Sequence, residues 1–135
     1  MVDKATMALA KASYDRCCQA PEFLETFYRN FFAACPDAEP RFAGTDFDKQ
    51  IKLLRHAIGI LLIFPNQPNG EPNLLSRIAE RHSSRDLNID LAFYGPFVEA
   101  LLTTVKQFDR KYSATVDAAW RETIAPGVDY MKSRH

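Results

Sequence analysis

His82 closes the segment Leu74-Leu75-Ser76-Arg77-Ile78-Ala79-Glu80-Arg81-His82. Leu74, Ile78 and His82 follow one another at i, i+4 spacing, so on a helix they share a face that is apolar until its last member, an imidazole. That arrangement aims an imidazole out of an apolar wall towards something buried. Upstream, Tyr28 and Gln50 each place a polar group on an otherwise apolar helical face. Taken together, the three suggest a haem pocket, with one axial imidazole and two hydrogen-bonding groups on the opposite side.

Helices must position these side chains, because helical periodicity dominates the chain and no alternating strand pattern is convincing. A first helix is predicted over about Lys4 to Cys18, and a second over about Pro21 to Ala34. Pro21 is tolerated in a first turn, and Glu22 and Glu25 are favoured there by the helix dipole. Pro36 and Pro40 confine a tight turn leading to Phe42. Asp46 reads as the N-cap of a long helix to about Phe64. Phe47, Gln50, Leu54, Ile58 and Leu61 form its inner face. The stretch from Pro65 to Asn73 is the strongest loop signal, and a helix ending near His82 follows it. Ser83 to Asn88 form a polar corner. Asp90 is a cap candidate for a helix reaching about Phe108, with Pro96 placed to bend it. The last helix spans about Ser113 to Met131, with Pro126-Gly127 expected to kink or loosen it. Six substantial helices and one short turn-like one, in a single domain over residues 1–135, predict an all-α packing.

A chain of 135 residues can bury a real core. Its formal net charge of zero removes the main electrostatic argument for nucleic acid or an anionic membrane surface. Cys17 and Cys18 are adjacent and poorly placed for a mutual disulfide, and with Cys35 the chain has three cysteines, so one would be left over in any pairing and reduced thiols in a cytosolic compartment are expected. The N-terminus lacks the apolar stretch of a signal peptide, and the longest apolar run, Ala57 to Phe64, is too short to span a bilayer. A cytoplasmic protein without membrane or nucleic-acid partners follows as the expectation.

The order of motifs resembles a known family. Phe27-Tyr28-Arg29-Asn30-Phe31-Phe32, then Pro36 and Phe42, is similar to bacterial single-domain globins and to the haem domain of flavohaemoglobins. So are Gln50-Ile51-Lys52-Leu53-Leu54-Arg55-His56-Ala57-Ile58, the run Ile78 to His82 followed by Tyr94 and Leu101-Leu102, and Asp117-Ala118-Ala119-Trp120. The resemblance covers essentially the whole chain and implies a globin fold, a three-over-three helical sandwich around haem b. It implies His82 as the proximal iron ligand, Phe42 packed on the haem edge, Tyr28 and Gln50 as the distal polar pair and Leu54 as their apolar neighbour. Phe47, Ile58, Ile78, Arg81, Leu87, Ile89, Tyr94 and Phe97 complete the implied haem contacts. The chain departs from flavohaemoglobins in two places. The stretch between His82 and Tyr94 is longer, which puts a contact between these two in doubt. The position matching a glutamate of the last flavohaemoglobin helix falls near His135 and is not acidic.

Each residue also has a plainer reading. A lone histidine more often serves at an interface than as a ligand, but the ordered presence of Tyr28, Phe42 and Gln50 favours ligation. Tyr28 has the alternative of a core tyrosine bonded to a carbonyl, and Gln50 of turning to solvent. Phe47, Leu54 and Ile58 read as core in either case. His56 falls off the inner face and reads as surface. His135 reads as a solvated terminus, with an alternative reach to the proximal side. Lys52, Arg81 and Arg85 could pair with haem propionates, although charged residues at helix ends are usually solvated. Cys17 and Cys18 read as buried or half-buried helix residues.

The resemblance implies binding of dioxygen, nitric oxide and carbon monoxide at ferrous iron. Two hydrogen-bond donors to a partly charged diatomic fit nitric oxide dioxygenation or scavenging better than oxygen delivery. The 135 residues contain no G-x-G-x-x-G, so a separate reductase is expected to supply electrons. A haem-based gas or redox sensor acting through a partner protein is the alternative, and a haem-free interaction module a third. Homodimerisation through the last two long helices is a further expectation from the family.

Overall fold

A computed structural model of the chain describes residues 2–66, 73–83 and 89–135. They form α1 (Lys4–Cys17), α2 (Phe23–Ala34), α3 (Phe47–Ile63), α4 (Ser76–His82), α5 (Tyr94–Phe108) and α6 (Ala114–Ser133). Short 3-10 segments lie at Pro36–Phe42, Phe64–Asn66 and Leu91–Phe93. No strand occurs among the described residues, so the all-α expectation holds.

Buried positions recur at helical spacing and decide which faces meet. In α2, Phe23, Leu24, Phe27, Tyr28 and Phe31 are buried, and this face lies against α5. In α1, Met7, Ala10, Ser13, Tyr14 and Cys17 are buried, and this face lies against α6. α6 also contacts α3, α4 and α5, which makes it the element most of the others share. The cysteines are all free thiols, Cys17 buried and Cys18 half-buried.

Two local expectations, for Pro21 and for Asp90, need correction. Pro21 lies outside α2, which starts at Phe23; Glu22 stands at its N-cap without a side-chain bond, leaving Glu25 in the first turn. Asp90 caps the 3-10 turn Leu91–Phe93, accepting from the Ala92 amide, and not α5 itself. Pro96 therefore falls in the first turn of α5, where its missing N–H is unneeded. α6 runs through Pro126-Gly127 to Ser133. Its buried stripe of Val116, Ala119, Trp120, Thr123, Ile124, Gly127, Val128 and Met131 keeps a helical period across the proline, so packing overrides the lost backbone bond.

A buried polar relay ties α1 to the end of α5 and to α6. Trp120 Nε1 donates to Ser13 Oγ at 2.8 Å, and Ser13 Oγ donates to Asp109 Oδ2 at 2.6 Å. Arg16 donates twice to the same carboxylate, at 2.5 and 2.9 Å, and the Lys111 amide donates once more at 2.9 Å. Burial alone would raise the Asp109 carboxyl, but the bonds from Arg16 and Ser13 outweigh it and bring it down to about 2. A carboxyl depressed on folding stabilises the fold above its unfolded value and loses that contribution as pH falls. The contribution is roughly 2 kcal/mol, present above about pH 4 and lost towards about pH 2. Asp109→Asn should lower unfolding stability at neutral pH by about that amount, and the gap to wild type should close between about pH 5 and about pH 2. Denaturant titrations across this range check it; a gap independent of pH would contradict it.

Candidate functional site

The Pro36–Phe42 segment ends in a turn whose Gly44 takes a positive φ of 76°, open to glycine at little strain. Asp46 then caps α3, accepting from the Asp48 and Lys49 amides as expected. This reversal folds Phe47 back on Phe42, with ring centroids 6.1 Å apart and nearly parallel. Both rings meet Tyr28 edge-on, at 5.5 Å for Phe42 and 5.4 Å for Phe47. Phe32 joins them, 5.3 Å from Phe42.

Gln50, one turn into α3, donates from Nε2 to Tyr28 Oη at 3.0 Å. The Tyr28 hydroxyl is thus not tied to a backbone carbonyl. Since it already accepts the amide proton, its own proton points elsewhere, and no described residue accepts it. Burial pushes the Tyr28 phenol up to about 12, against a smaller lowering by Gln50, so it stays protonated as a donor at neutral pH.

His82 ends α4 and is half-buried. Its Nδ1 lies 2.8 Å from the carbonyl oxygen of Ile78, one turn back. A carbonyl only accepts, so Nδ1 carries the proton and the lone pair of the neutral ring sits on Nε2. No described residue hydrogen-bonds Nε2. Burial lowers the affinity of the ring for a second proton, Ile78 opposes this, and Arg81 adds to the lowering, so the imidazole is held neutral.

Tyr28, Gln50, Phe42 and Phe47 therefore form one contact group. Phe97 reaches it through Phe27, which is 5.1 Å from Phe97 and 5.2 Å from Tyr28. Leu54 and Ile58 are buried in the core. Phe47 is not: at 37% exposure it stands at the rim, because it is the first residue of its helix and packs on one side only. Leu74 also departs from expectation. It precedes α4, which starts at Ser76, and is 42% exposed, while Leu75 takes the buried place at 1%. The apolar row leading to His82 is thus Ile78 alone within the helix. The Ile89 amide donates to the His82 carbonyl at 3.0 Å. Among the described residues no hydrogen bond joins Tyr94 to His82, and burial raises the Tyr94 phenol. Leu87 and Arg85 lie outside the described residues, while Arg81 and His56 are exposed.

Ile51, Phe93 and Val98, outside the set of haem contacts that the resemblance implies, are half-buried against the same core as Ile78, Tyr94 and Phe97. Val98 was within reach, since Tyr94, Val98 and Leu102 repeat at i, i+4. A cleft of about 420 Å³ opens between Arg41, Asp90, Leu91, Phe93 and His135. It places the exposed C-terminal His135 beside the turn before α5, a neighbourhood that the helical pattern did not reveal.

The chain is similar over its length to a solved bacterial structure, a Pseudomonas aeruginosa PAO1 protein described as structurally highly homologous to a human hemoglobin. The two share 32% identity over 96% of this chain and 97% of that one, with a TM-score of 0.89. The chain belongs to the globin family. No protein-family model matches the sequence, and no curated protein does.

An imidazole with Nδ1 bound and Nε2 free makes a definite prediction about side-chain chemistry. His82→Ala should lose haem or need added imidazole to hold it, whereas a variant with wild-type haem content and an unchanged ferrous spectrum would remove His82 from the site. Absorption spectra of the reconstituted proteins decide between them.

Proposed function

We propose that this chain is a haem-b globin that holds dioxygen tightly and uses it in nitric oxide dioxygenation or scavenging, akin to the haem domain of flavohaemoglobins. The observation that carries the reading is the pairing of a neutral His82 whose Nε2 is free with a Tyr28 hydroxyl oriented by Gln50. The donor set fits haem: an imidazole nitrogen for iron, and partly exposed apolar side chains from four elements, Ile51, Ile78, Phe93 and Phe97, for a flat apolar ring. When bound, haem would supply ferrous iron able to take a diatomic gas, including dioxygen, nitric oxide and carbon monoxide.

The chain's own residues do the rest. Ile78 fixes the His82 tautomer and ring plane through its carbonyl. Phe42 and Phe47 flank Tyr28 and keep its phenol from swinging to solvent. Gln50 donates to the phenol oxygen, which leaves the Tyr28 proton free to be donated to a polar ligand. A hydrogen bond to a partly charged acceptor contributes roughly 1.5–3 kcal/mol. That slows ligand release by about one to two decades, more than oxygen delivery tolerates. Electrons come from a reductase, for which these 135 residues themselves carry no dinucleotide-binding G-x-G-x-x-G.

Tyr28→Phe should raise the dioxygen off-rate by about one to two decades and the carbon monoxide off-rate far less, because bound carbon monoxide is much less polar. Equal shifts for both gases would mean a steric effect. Gln50→Leu should act in the same direction, and the double variant should add little to Tyr28→Phe, because Gln50 works through the phenol.

A second measurement addresses turnover. The oxygen-loaded protein alone should consume nitric oxide stoichiometrically, and continuous consumption should appear only with an added reductase and its nicotinamide. If no reductase sustains turnover while ligand binding alters affinity for a partner protein, the sensor reading replaces this one.

A further inference from the structure

α4 carries His82 at its last position and is the shortest of the described α-helices. Seven residues cannot hold a helix in water unaided, and the apolar Leu75 at its N-cap offers no side-chain cap. Its place is therefore set by what it packs on, and that is α6.

Two positions of α6, three residues apart and so on one face, receive it. At Gly127 a Cβ would stand 2.5 Å from Leu61 Cδ2 and 3.1 Å from Leu75 Cδ1, so the bare backbone admits the leucine that enters α4. At Tyr130 the hydroxyl meets Ser76 Oγ at 3.1 Å, on the first residue of α4. Ser76 Oγ also accepts the Asn73 amide at 2.7 Å, and Asn73 Oδ1 accepts the Leu75 amide at 2.9 Å, so the entry to α4 is knotted around the atom that Tyr130 touches. The Tyr130 ring is held in turn, with Phe64 at 5.5 Å and the Arg134 guanidinium over it at 5.4 Å. Ile78, whose carbonyl fixes the imidazole, follows Ser76 by two residues.

We propose that Tyr130, together with Gly127, is a positioning residue for His82: α6 sets where the imidazole stands, through Ser76 and Leu75, without touching it. The inference rests on His82 being the iron ligand. It adds that the strength of the iron–imidazole bond is tuned from the last helix, in a chain with no hydrogen bond from Tyr94 to His82.

The test is the iron–imidazole stretching band in the resonance Raman spectrum of the ferrous, ligand-free, haem-loaded protein. Tyr130→Phe should move this band to lower frequency and broaden it, at unchanged haem stoichiometry. Ser76→Ala, which also removes the acceptor of the Asn73 amide, should shift the band at least as far, and the double variant no further than Ser76→Ala alone, because the Tyr130 bond is already gone there. Gly127→Ala should move the band too, with the Tyr130 hydroxyl intact, by pressing on Leu75 as well as on Leu61 of α3. If Tyr130→Phe fails to retain haem, Ser76→Ala and Gly127→Ala decide by the same band. Variants that keep the wild-type band position and width while only lowering the thermal midpoint would overturn the proposal, leaving Tyr130 a packing residue. A wild-type protein that holds haem but shows no such band would instead overturn the assignment of His82, and the proposal with it.

Discussion

The hydrogen bond from His82 Nδ1 to the Ile78 carbonyl governs what the imidazole is able to do. It joins residues one helical turn apart, so it forms only while α4 is a helix as far as its last residue. It also removes one rotational freedom from the ring and fixes which nitrogen keeps a lone pair. Without it, a half-buried imidazole could take either tautomer, and burial would favour neither. The other features bear on His82 by keeping this turn in place. Leu75 and Ala79 are sealed into the core, the Ile89 amide closes on the His82 carbonyl, and α6 receives the entry of α4. Neutrality of the ring follows from the same placement, since burial disfavours the imidazolium more than Ile78 stabilises it.

At Tyr28 the constraint is different. Tyr28 belongs to a helix whose neighbours are phenylalanines, so its hydroxyl is a polar atom inside an aromatic group. Such an atom needs a partner, and the structure provides one donor, Gln50, in place of a carbonyl acceptor. This is an incomplete solution for the tyrosine, because its own proton lacks a described acceptor. An incompletely satisfied donor beside aromatic walls suits a small polar guest.

Much of this was legible because it is local. Asp46 as a cap, the face from Gln50 through Leu54 to Ile58, and the one-turn relation of Ile78 to His82 all follow from spacing within one helix. The errors have physical reasons. Two leucines stand side by side at 74 and 75, and counting back from His82 by fours selects the wrong one, since the helix does not extend that far. Pro126-Gly127 lies inside the last helix as expected, but spacing alone does not show that Gly127 is needed small for Leu61 and Leu75. The bond from Tyr130 to Ser76 spans 54 residues, and no local pattern announces it. Phe47 has the right spacing for a core residue and fails only because it begins its helix.

The proposed function rests on His82 as the ligand offered to iron. Titrating the haem-free protein with haem and recording the ferrous spectrum tests it most directly. The account predicts one haem per chain and a five-coordinate, high-spin ferrous form that converts fully on adding carbon monoxide. A chain that binds no stoichiometric haem, or a ferrous form already six-coordinate and low-spin without added ligand, would contradict it.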